Sequence, residues 1–254
     1  MKKLNFIIKC GLALLLLSFY SCESWLNVTP SDRLSEEMLF NDREGFVKAL
    51  NGVYIELNTN ELYGRNLTAG ALDVMGQYYS VASSSHAFYN YGGLVYTGND
   101  EKALFDNMWQ KCYAVIACCN TIIEKCDENK AGLSPVWRGS IKGEALALRA
   151  MLHFDMLRLF GPLTSELDKE SIPYQTNSDQ TVTPLLSGSE VVGLILDDLK
   201  NAVGLLKDTD PYFVEEEFSD TDLNYRRFRM NYFAAKGLMA RVQLWGGDKE
   251  KAAA

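Results

Sequence analysis

The most constraining feature of this 254-residue sequence is an uninterrupted helical period between residues 141 and 162. Leucine and methionine recur there at i, i+4, i+8 and i+11, so they share one face of a helix. The residues on that face are Leu148, Leu152, Met156 and Leu159. Arg149, His153 and Arg158 fall off that row, so we expect His153 at the helix surface or hydrogen-bonded. Because a helix with a wide apolar face is unstable alone, the pattern predicts a central helix in a mostly helical fold.

Further helical signals supply the neighbours that this central helix needs. The additional predicted helices cover residues 42–57, 101–126, 188–206 and 229–245. Capping boxes are predicted at Asn41–Glu44 and at Ser187–Glu190, where an acceptor side chain is followed three residues later by glutamate. Residues 101–160 and 188–245 therefore form two helix pairs, an arrangement typical of helical-repeat arrays.

Long stretches without helical period separate these elements. Residues 58–100 contain six glycines, a run of three serines and six aromatic residues between Tyr78 and Tyr96. Residues 208–222 are acidic, and carboxylate oxygens are ligands that Ca²⁺ prefers. Their spacing does not fit an EF-hand loop, so we interpret this stretch as a solvated acidic surface.

The first 21 residues have the organisation of a signal peptide. Lys2 and Lys3 are followed by an apolar run from Gly11 to Tyr20. This run is much shorter than the roughly 20 residues that a transmembrane helix needs. Ser21 and Cys22 follow it, as in a bacterial lipobox, so Cys22 is predicted to become the lipid-bearing first residue of the mature protein. An ordinary secretory signal, with Cys22 incidental, is the alternative.

The net negative charge of the predicted mature chain argues against nucleic acid as a partner. Removal of residues 1–21 takes three lysines and no acidic residue, which leaves 22 basic against 33 acidic residues and a net charge of -11. A surface of this sign is unfavourable for binding the phosphate backbone of nucleic acid. We therefore expect no nucleic-acid partner.

Three cysteines in the predicted helix at residues 101–126 are too far apart to form a disulfide or to share a zinc ion with one another. Cys112, Cys119 and Cys126 are seven residues apart. Seven residues of helix span about 10 Å, which is too far for a disulfide or for thiolates to share one zinc ion. We interpret these three as small core residues, with Cys118 alone on a different face.

No constellation of catalytic residues is visible in the sequence. Only His86 and His153 titrate near neutral pH without a large pKa shift. No nucleophile elbow, HExxH motif or phosphate-binding loop accompanies them. We therefore predict a protein that is not an enzyme and that carries neither a metal nor a cofactor.

An ordered set of segments resembles the N-terminal half of the SusD/RagB-like outer-membrane lipoproteins of Bacteroidota. In chain order, these segments are Cys22, Gly52-Val53-Tyr54, Trp109 to Asn120, Gly143-Glu144-Ala145, Leu148-Arg149-Ala150, Phe160-Gly161-Pro162, Ile195 to Ala202 and Ala235 to Val242. The resemblance spans nearly the whole chain. Family members are about twice this long, so we expect a fragment or a truncated product.

The resemblance implies an all-α fold of tetratricopeptide-like helix pairs with long loop excursions. Residues 1–21 would be the lipoprotein signal peptide and residues 22–254 the SusD-like N-terminal helical domain. It implies a lipid-anchored protein at the outer membrane, facing the cell exterior, that captures a nutrient and passes it to a SusC-like TonB-dependent transporter. The nutrient is expected to be a glycan, with a peptide as an open alternative. A structural or adhesion lipoprotein that binds only protein partners is the competing hypothesis.

The predicted ligand site lies in the loop-rich excursion. Sugars present patches of C–H beside hydroxyl groups, so they bind flat aromatic faces that have polar groups at the rim. Both kinds of side chain occur between Asp73 and Asn99, a segment that the resemblance places near the ligand face. The predicted ligand-binding residues are Asp73, His86, Tyr89, Asn90 and Tyr91. The alternative is that these tyrosines only pack the loop onto the helices.

Overall fold

The computed structural model describes residues 36–179, 181–215, 218–219 and 225–253. The predicted signal peptide, residues 1–21, and the predicted lipid-bearing Cys22 lie outside the described residues. The chain divides into a short N-terminal unit, residues 1–38, and a main unit, residues 39–254. The first described helix is α1, Glu36–Leu39.

Helices account for 62% of the fold and strands for 3%, which confirms the all-α prediction. The remaining helices, in chain order, are α2, Arg43–Leu57; α3, Ala71–Met75; α4, Tyr89–Gly92; α5, Asn99–Glu128; α6, Pro135–Phe160; α7, Gly188–Thr209; α8, Tyr232–Trp245; and α9, Lys249–Ala252. A short 3-10 turn, Thr164–Glu166, precedes a two-stranded antiparallel hairpin that the sequence did not suggest. Its strands are β1, Glu170–Pro173, and β2, Leu185–Ser187, with Glu170 opposite Ser187.

Helix α6 is the predicted central helix, and it is buried on more faces than the sequence indicated. Eighteen of its 26 residues are buried, because α5 and α7 both pack along it. Leu148, Leu152 and Met156 are in the core as predicted. Arg149 and His153 lie off the apolar row, as the spacing indicated, but both are buried, because other helices cover those faces too. Arg158 is exposed.

Small residues let α7 approach α6 closely. A Cβ atom on Gly143 would lie 2.8 Å from Cγ of Leu206, and one on Gly139 would lie 2.5 Å from Cγ2 of Thr209. Real Cβ atoms do not approach other heavy atoms this closely, so a larger residue would force the two helices apart. The glycines of α6 therefore determine how the helix pair packs.

Helix starts are set by side-chain caps, and one cap differs from the prediction. Asp42, not Asn41, caps α2, and its Oδ1 accepts from the N–H of Gly45 at 2.8 Å. The third residue of α2 is thus a glycine, so no reciprocal glutamate bond forms. The predicted capping box of Ser187 and Glu190 is confirmed at the start of α7. Helix α8 starts after Asn231, three residues later than predicted.

The cysteine prediction is confirmed for the helical residues. Cys112, Cys119 and Cys126 are buried along α5, and Cys118 is exposed. Burial raises the pKa of Cys126 to about 12, so its thiol stays protonated at neutral pH. Within the described part of the chain, no helix combines the length and apolarity that a membrane crossing requires.

Candidate functional site

Residues 58–98 form an excursion with a small hydrophobic cluster of its own. Ala71 and Val74 of α3 and Tyr91 of α4 are its buried members. Tyr91 is only 2% exposed, and the centroid of its ring lies 5.9 Å from that of Phe88 and 6.0 Å from that of Phe105. Burial and the nearby acidic residues raise the pKa of Tyr91 to about 12. Because Phe105 belongs to α5, this cluster fastens the excursion to the helical scaffold.

Two side-chain amides connect the parts of the excursion. The Nε2 of Gln77 donates to the carbonyl oxygen of Gly92 at 2.9 Å, which joins the chain after α3 to the end of α4. The Nδ2 of Asn90 donates to Oε1 of Glu101 at 2.7 Å, and Glu101 is buried in the first turn of α5. These two hydrogen bonds therefore hold the backbone next to Tyr78 and next to Tyr89.

Three tyrosines on this excursion present their rings to solvent, and we call them the tyrosine surface. Tyr78 is 83% exposed, Tyr79 is 43% exposed and Tyr89 is 42% exposed. The hydroxyl of Tyr79 donates to the carbonyl oxygen of Ala69, which fixes that ring against the chain. Exposed rings at fixed positions are suited to stacking on the C–H face of a sugar.

The five predicted ligand residues differ in their exposure to solvent. Tyr89 and Asn90 are exposed on α4, and Asp73 is half-buried on α3. His86 is exposed, and its Nδ1 accepts from the N–H of Phe88 at 3.1 Å. Tyr91 is buried, so its ring is not accessible to a ligand in this structure. For the other four, ligand binding stays a prediction.

Sequence reasoning did not single out Tyr78 and Tyr79, although they belong to the aromatic run that it noted. Neither residue lies in a regular helix, since both follow the end of α3 at Gly76. Without a period, the sequence gives no means of telling exposed rings from buried ones. The available signal was the pair of adjacent tyrosines, because two consecutive side chains in irregular structure cannot easily share one buried face.

A first buried polar network lies between α5, α6 and α7. Arg149 forms a bidentate ion pair with Asp198, with both N–O distances at 2.7 Å. The hydroxyl of Tyr174 also donates to Asp198, at 2.6 Å, and Asn120 accepts from Arg149 at 2.8 Å. Burial opposes the charge on Arg149, but its hydrogen bonds and attraction to Asp198 raise its pKa overall.

His153 is an integral part of the scaffold. Its Nε2 accepts from the backbone N–H of Gln175 at 3.0 Å, so its Nδ1 carries the proton and donates to the carbonyl oxygen of Arg149 at 2.9 Å. The ring stacks on Tyr174, with centroids 3.9 Å apart. Complete burial, together with the charge of Arg149, lowers the pKa of His153 to about 3. The hydrogen-bonded alternative for this histidine is confirmed.

A second buried network joins α2, α6 and the chain before α8. Arg226 pairs with Glu144 and with Asp210, and its Nη2 lies 2.6 Å from Oδ2 of Asp210. Arg229 pairs with Glu144 at 2.8 Å, and the hydroxyl of Tyr54 donates to the same carboxylate. Asp210 is fully buried, so the prediction of a solvated acidic surface was wrong at this residue. Its carboxylate neutralises a buried arginine and accepts from the N–H of Tyr232 at the start of α8.

The rest of the acidic stretch is only partly within the described residues. Asp208 and Glu215 are exposed, while Glu216, Glu217, Asp220 and Asp222 lie outside the described residues. Beside the second network is a pocket of about 230 Å³, lined by Trp137, Phe218 and Tyr225 as well as by the arginines. Every buried side-chain nitrogen or oxygen in the described part has a hydrogen-bond partner. The polar groups of both networks therefore have their partners within the scaffold.

A protein-family model matches this chain over residues 24–244. The matching family model is SusD-like, with the description "Starch-binding associating with outer membrane". This chain is 25% identical over 258 residues to SusD-like protein P2 of Formosa agariphila, a match that covers 99% of this chain and 44% of the relative. It is 30% identical over 146 residues to a SusD-like protein of Bacteroides ovatus, across 56% of this chain and 23% of the relative.

Solved structures show the same fold. A SusD-like carbohydrate binding protein from Bacteroides vulgatus superposes with a TM-score of 0.65 at 24% identity, over 84% of this chain and 43% of that chain. A laminarin binding SusD-like protein superposes with a TM-score of 0.60 at 16% identity, over 84% of this chain and 42% of that chain. The chain therefore spans less than half the length of the relatives that it matches.

Proposed function

The chain belongs to the SusD-like family, and from this premise we propose that it captures a glycan at the cell surface and passes it to a SusC-like TonB-dependent outer-membrane transporter. The family description supports a starch-like polysaccharide ligand and an outer-membrane location. One structural neighbour is a laminarin binding protein, which also supports a glycan over a peptide.

The tyrosine surface is the observation that carries the glycan proposal. The rings of Tyr78, Tyr79 and Tyr89 are exposed, yet the backbone beneath them is fixed by the Tyr91 cluster and by the bond from Asn90 to Glu101. A fixed ring loses little conformational entropy when a sugar stacks on it, so more of the contact energy remains for binding.

The polar contacts to the sugar are proposed to come from residues predicted from the sequence. Asp73, His86 and Asn90 offer a carboxylate, an imidazole and an amide oxygen to sugar hydroxyls. Because the Nδ2 of Asn90 already donates to Glu101, its carbonyl oxygen is the atom that we assign to the ligand. Tyr91 is assigned a supporting role, since its ring is buried.

Glycan binding is tested by titrating the protein with starch fragments and with laminarin in a calorimeter. We expect the double change Tyr78→Ala and Tyr89→Ala to weaken binding at least about tenfold, because each removes a stacking face. The matched control changes Tyr212 and Tyr225, which are 43% and 62% exposed elsewhere on the chain, to alanine. Unaltered affinity in the Tyr78 and Tyr89 variant, or no binding of either glycan by the natural sequence, contradicts the proposal.

Membrane attachment is proposed to depend on lipid at Cys22. Stable residence needs two membrane-binding signals, and an N-terminal cysteine with two or more acyl chains meets this requirement. The expected result is that Cys22→Ala moves the protein out of the outer-membrane fraction and abolishes labelling by a radioactive fatty acid. Retention of the variant in that fraction would show that the anchor is not at this residue.

A further inference from the structure

The pocket of about 230 Å³ beside the second buried network lies where one face of α2 and one face of α6 come together. Liquid water takes up about 30 Å³ per molecule, so the pocket has room for a small organic molecule. On each helix the lining residues include a set at i, i+3 and i+4, which places them on one face. These residues are Val47, Leu50 and Asn51 on α2 and Trp137, Ser140 and Ile141 on α6.

The hydroxyl of Ser140 is open to this pocket. Ser140 is only 5% exposed, and its Oγ has no hydrogen-bond partner among the described residues. Every fully buried side-chain oxygen in the described chain has a partner, so the Ser140 hydroxyl must reach accessible space. The pocket that Ser140 lines is that space. A polar group so deep in the protein costs free energy unless a molecule in the pocket pairs with it.

Two nitrogen donors at the pocket are also available. Arg229 donates from Nε to Glu144 at 2.8 Å and from Nη1 to Asn51 at 2.6 Å, which leaves Nη2 without an acceptor in the described chain. Asn51 accepts through its oxygen, so its Nδ2 is free to donate. The available groups are thus a hydroxyl, an amide nitrogen and a guanidinium nitrogen. A carboxylate matches this set, because its oxygens only accept hydrogen bonds.

The charges beside the pocket favour a further negative one. Two arginines and two carboxylates make the network neutral, but Glu144 is shared between Arg226 and Arg229. Asp210 pairs with Arg226, which therefore has a second carboxylate, whereas Arg229 has only the shared one. Arg229 is thus the less neutralised of the two guanidiniums, and it is the one with a donor to spare.

We propose that this pocket binds a small organic carboxylate. Its oxygens accept from Ser140, Asn51 and Arg229, and its apolar body lies against Leu50 and Ile141. An apolar wall with a few polar groups at fixed positions is the usual composition of a small-molecule site. The pocket shares no residue with the tyrosine surface, so this inference does not depend on glycan binding.

The test uses para-fluorobenzoate as the probe and follows its fluorine resonance by NMR as the protein is added. The matched probe, para-fluorobenzyl alcohol, has the same ring but no charge. Ser140→Ala removes the hydroxyl without breaking a hydrogen bond of the described chain. The control variant is Ser189→Ala, a helical serine of α7 that does not line the pocket. Asn51→Asp keeps the acceptor for Arg229 and adds a negative charge at the pocket.

We expect the natural sequence and Ser189→Ala to bind the acid saturably and with equal affinity. Ser140→Ala should bind it at least about tenfold more weakly, because a hydrogen bond to a charged group is lost. Asn51→Asp should weaken binding of the acid and leave the weaker binding of the alcohol unchanged, because like charges repel. All affinities are measured well below the melting temperature of each protein, so that unfolding does not contribute.

Three results would each overturn the proposal. The first is that the natural sequence shows no saturable binding of the acid. The second is that it binds the acid and the alcohol equally, which would mean that the carboxylate is not recognised. The third is that Ser140→Ala binds the acid as tightly as the natural sequence, which would place the probe elsewhere on the protein.

Discussion

Around helix α6 the charged side chains are buried and paired, whereas in residues 58–98 the aromatic rings of the tyrosine surface are exposed. Arg149 and Asp198 have side chains that are 7% and 10% exposed, while the residue Tyr78 is 83% exposed. Both arrangements are unusual for these residue types. The difference lies in what surrounds them: several helices provide partners for each charge, but the described chain leaves between 42% and 83% of each tyrosine exposed.

This contrast assigns different roles to the two regions. A buried ion pair contributes little net stability when intact, because desolvation of the charges offsets their attraction, but a broken pair is strongly destabilising. The networks of α6 thus fix the relative positions of the helices. An exposed ring buries little of its apolar surface on folding, so that surface can still be buried against a ligand. Single substitutions in the α6 networks should therefore lower the free energy of unfolding, whereas single substitutions in the tyrosine surface should lower ligand affinity.

The largest effect is expected from Asp198→Ala. This change leaves the guanidinium of Arg149 buried without its counter-charge and removes the acceptor of the Tyr174 hydroxyl. We expect a loss of about 3 to 5 kcal/mol in the free energy of unfolding, measured by urea titration. A double variant, Arg149→Met with Asp198→Leu, should recover much of this loss, since it removes both charges. A single-variant loss under about 1 kcal/mol would show that the pair is hydrated and not structural.

An intermediate effect is expected from the pH dependence that His153 confers. The unfolded histidine has a pKa near 6.5, and the folded one has a pKa of about 3. Between these values the unfolded state binds a proton that the folded state does not, so stability falls as the pH falls below 6.5. The histidine alone should lower the free energy of unfolding by about 2 kcal/mol between pH 7 and pH 5.

The control for this prediction is His153→Gln, which has no titratable group at the position. Carboxylates elsewhere titrate equally in both proteins, so the stability difference between them isolates the histidine. We expect the natural sequence to lose its advantage over the variant as the pH falls from 7 to 5. A difference that stays constant over this range would mean that His153 is accessible to protons in the folded state.

The sequence predicted the scaffold well because its helices carry a strong local period. Leu148, Leu152 and Met156 were placed in the core from spacing alone, and Ser187 was recognised as a helix cap. Burial of Arg149 could not be predicted, since its partner Asp198 is 49 residues away and belongs to another helix pair. A period shows which residues share a face of a helix, but it does not show how many faces other elements cover.

In the candidate site the sequence predicted the segment but not the individual side chains. The aromatic run pointed to residues 73–99, and the exposed rings are there. Which tyrosine packs inward depends on Phe105 of α5 and on Val74 of α3, neither of which is near Tyr91 in the sequence. Irregular backbone has no fixed side-chain period, so alternate burial of neighbouring tyrosines cannot be derived from spacing.

The smallest effect on stability is expected from Tyr89→Ala, and it sharpens the contrast within a single helical turn. Tyr89 is 42% exposed, so removal of its ring should change the free energy of unfolding by no more than about 0.5 kcal/mol. The same change at Tyr91, two residues later, removes a buried ring and leaves a cavity against Phe88 and Phe105. Hydrogen exchange of the amides in residues 70–95 measures this local difference directly. We expect faster exchange across that range in Tyr91→Ala and unchanged exchange in Tyr89→Ala; equal acceleration in both would mean that Tyr89 also holds the excursion together.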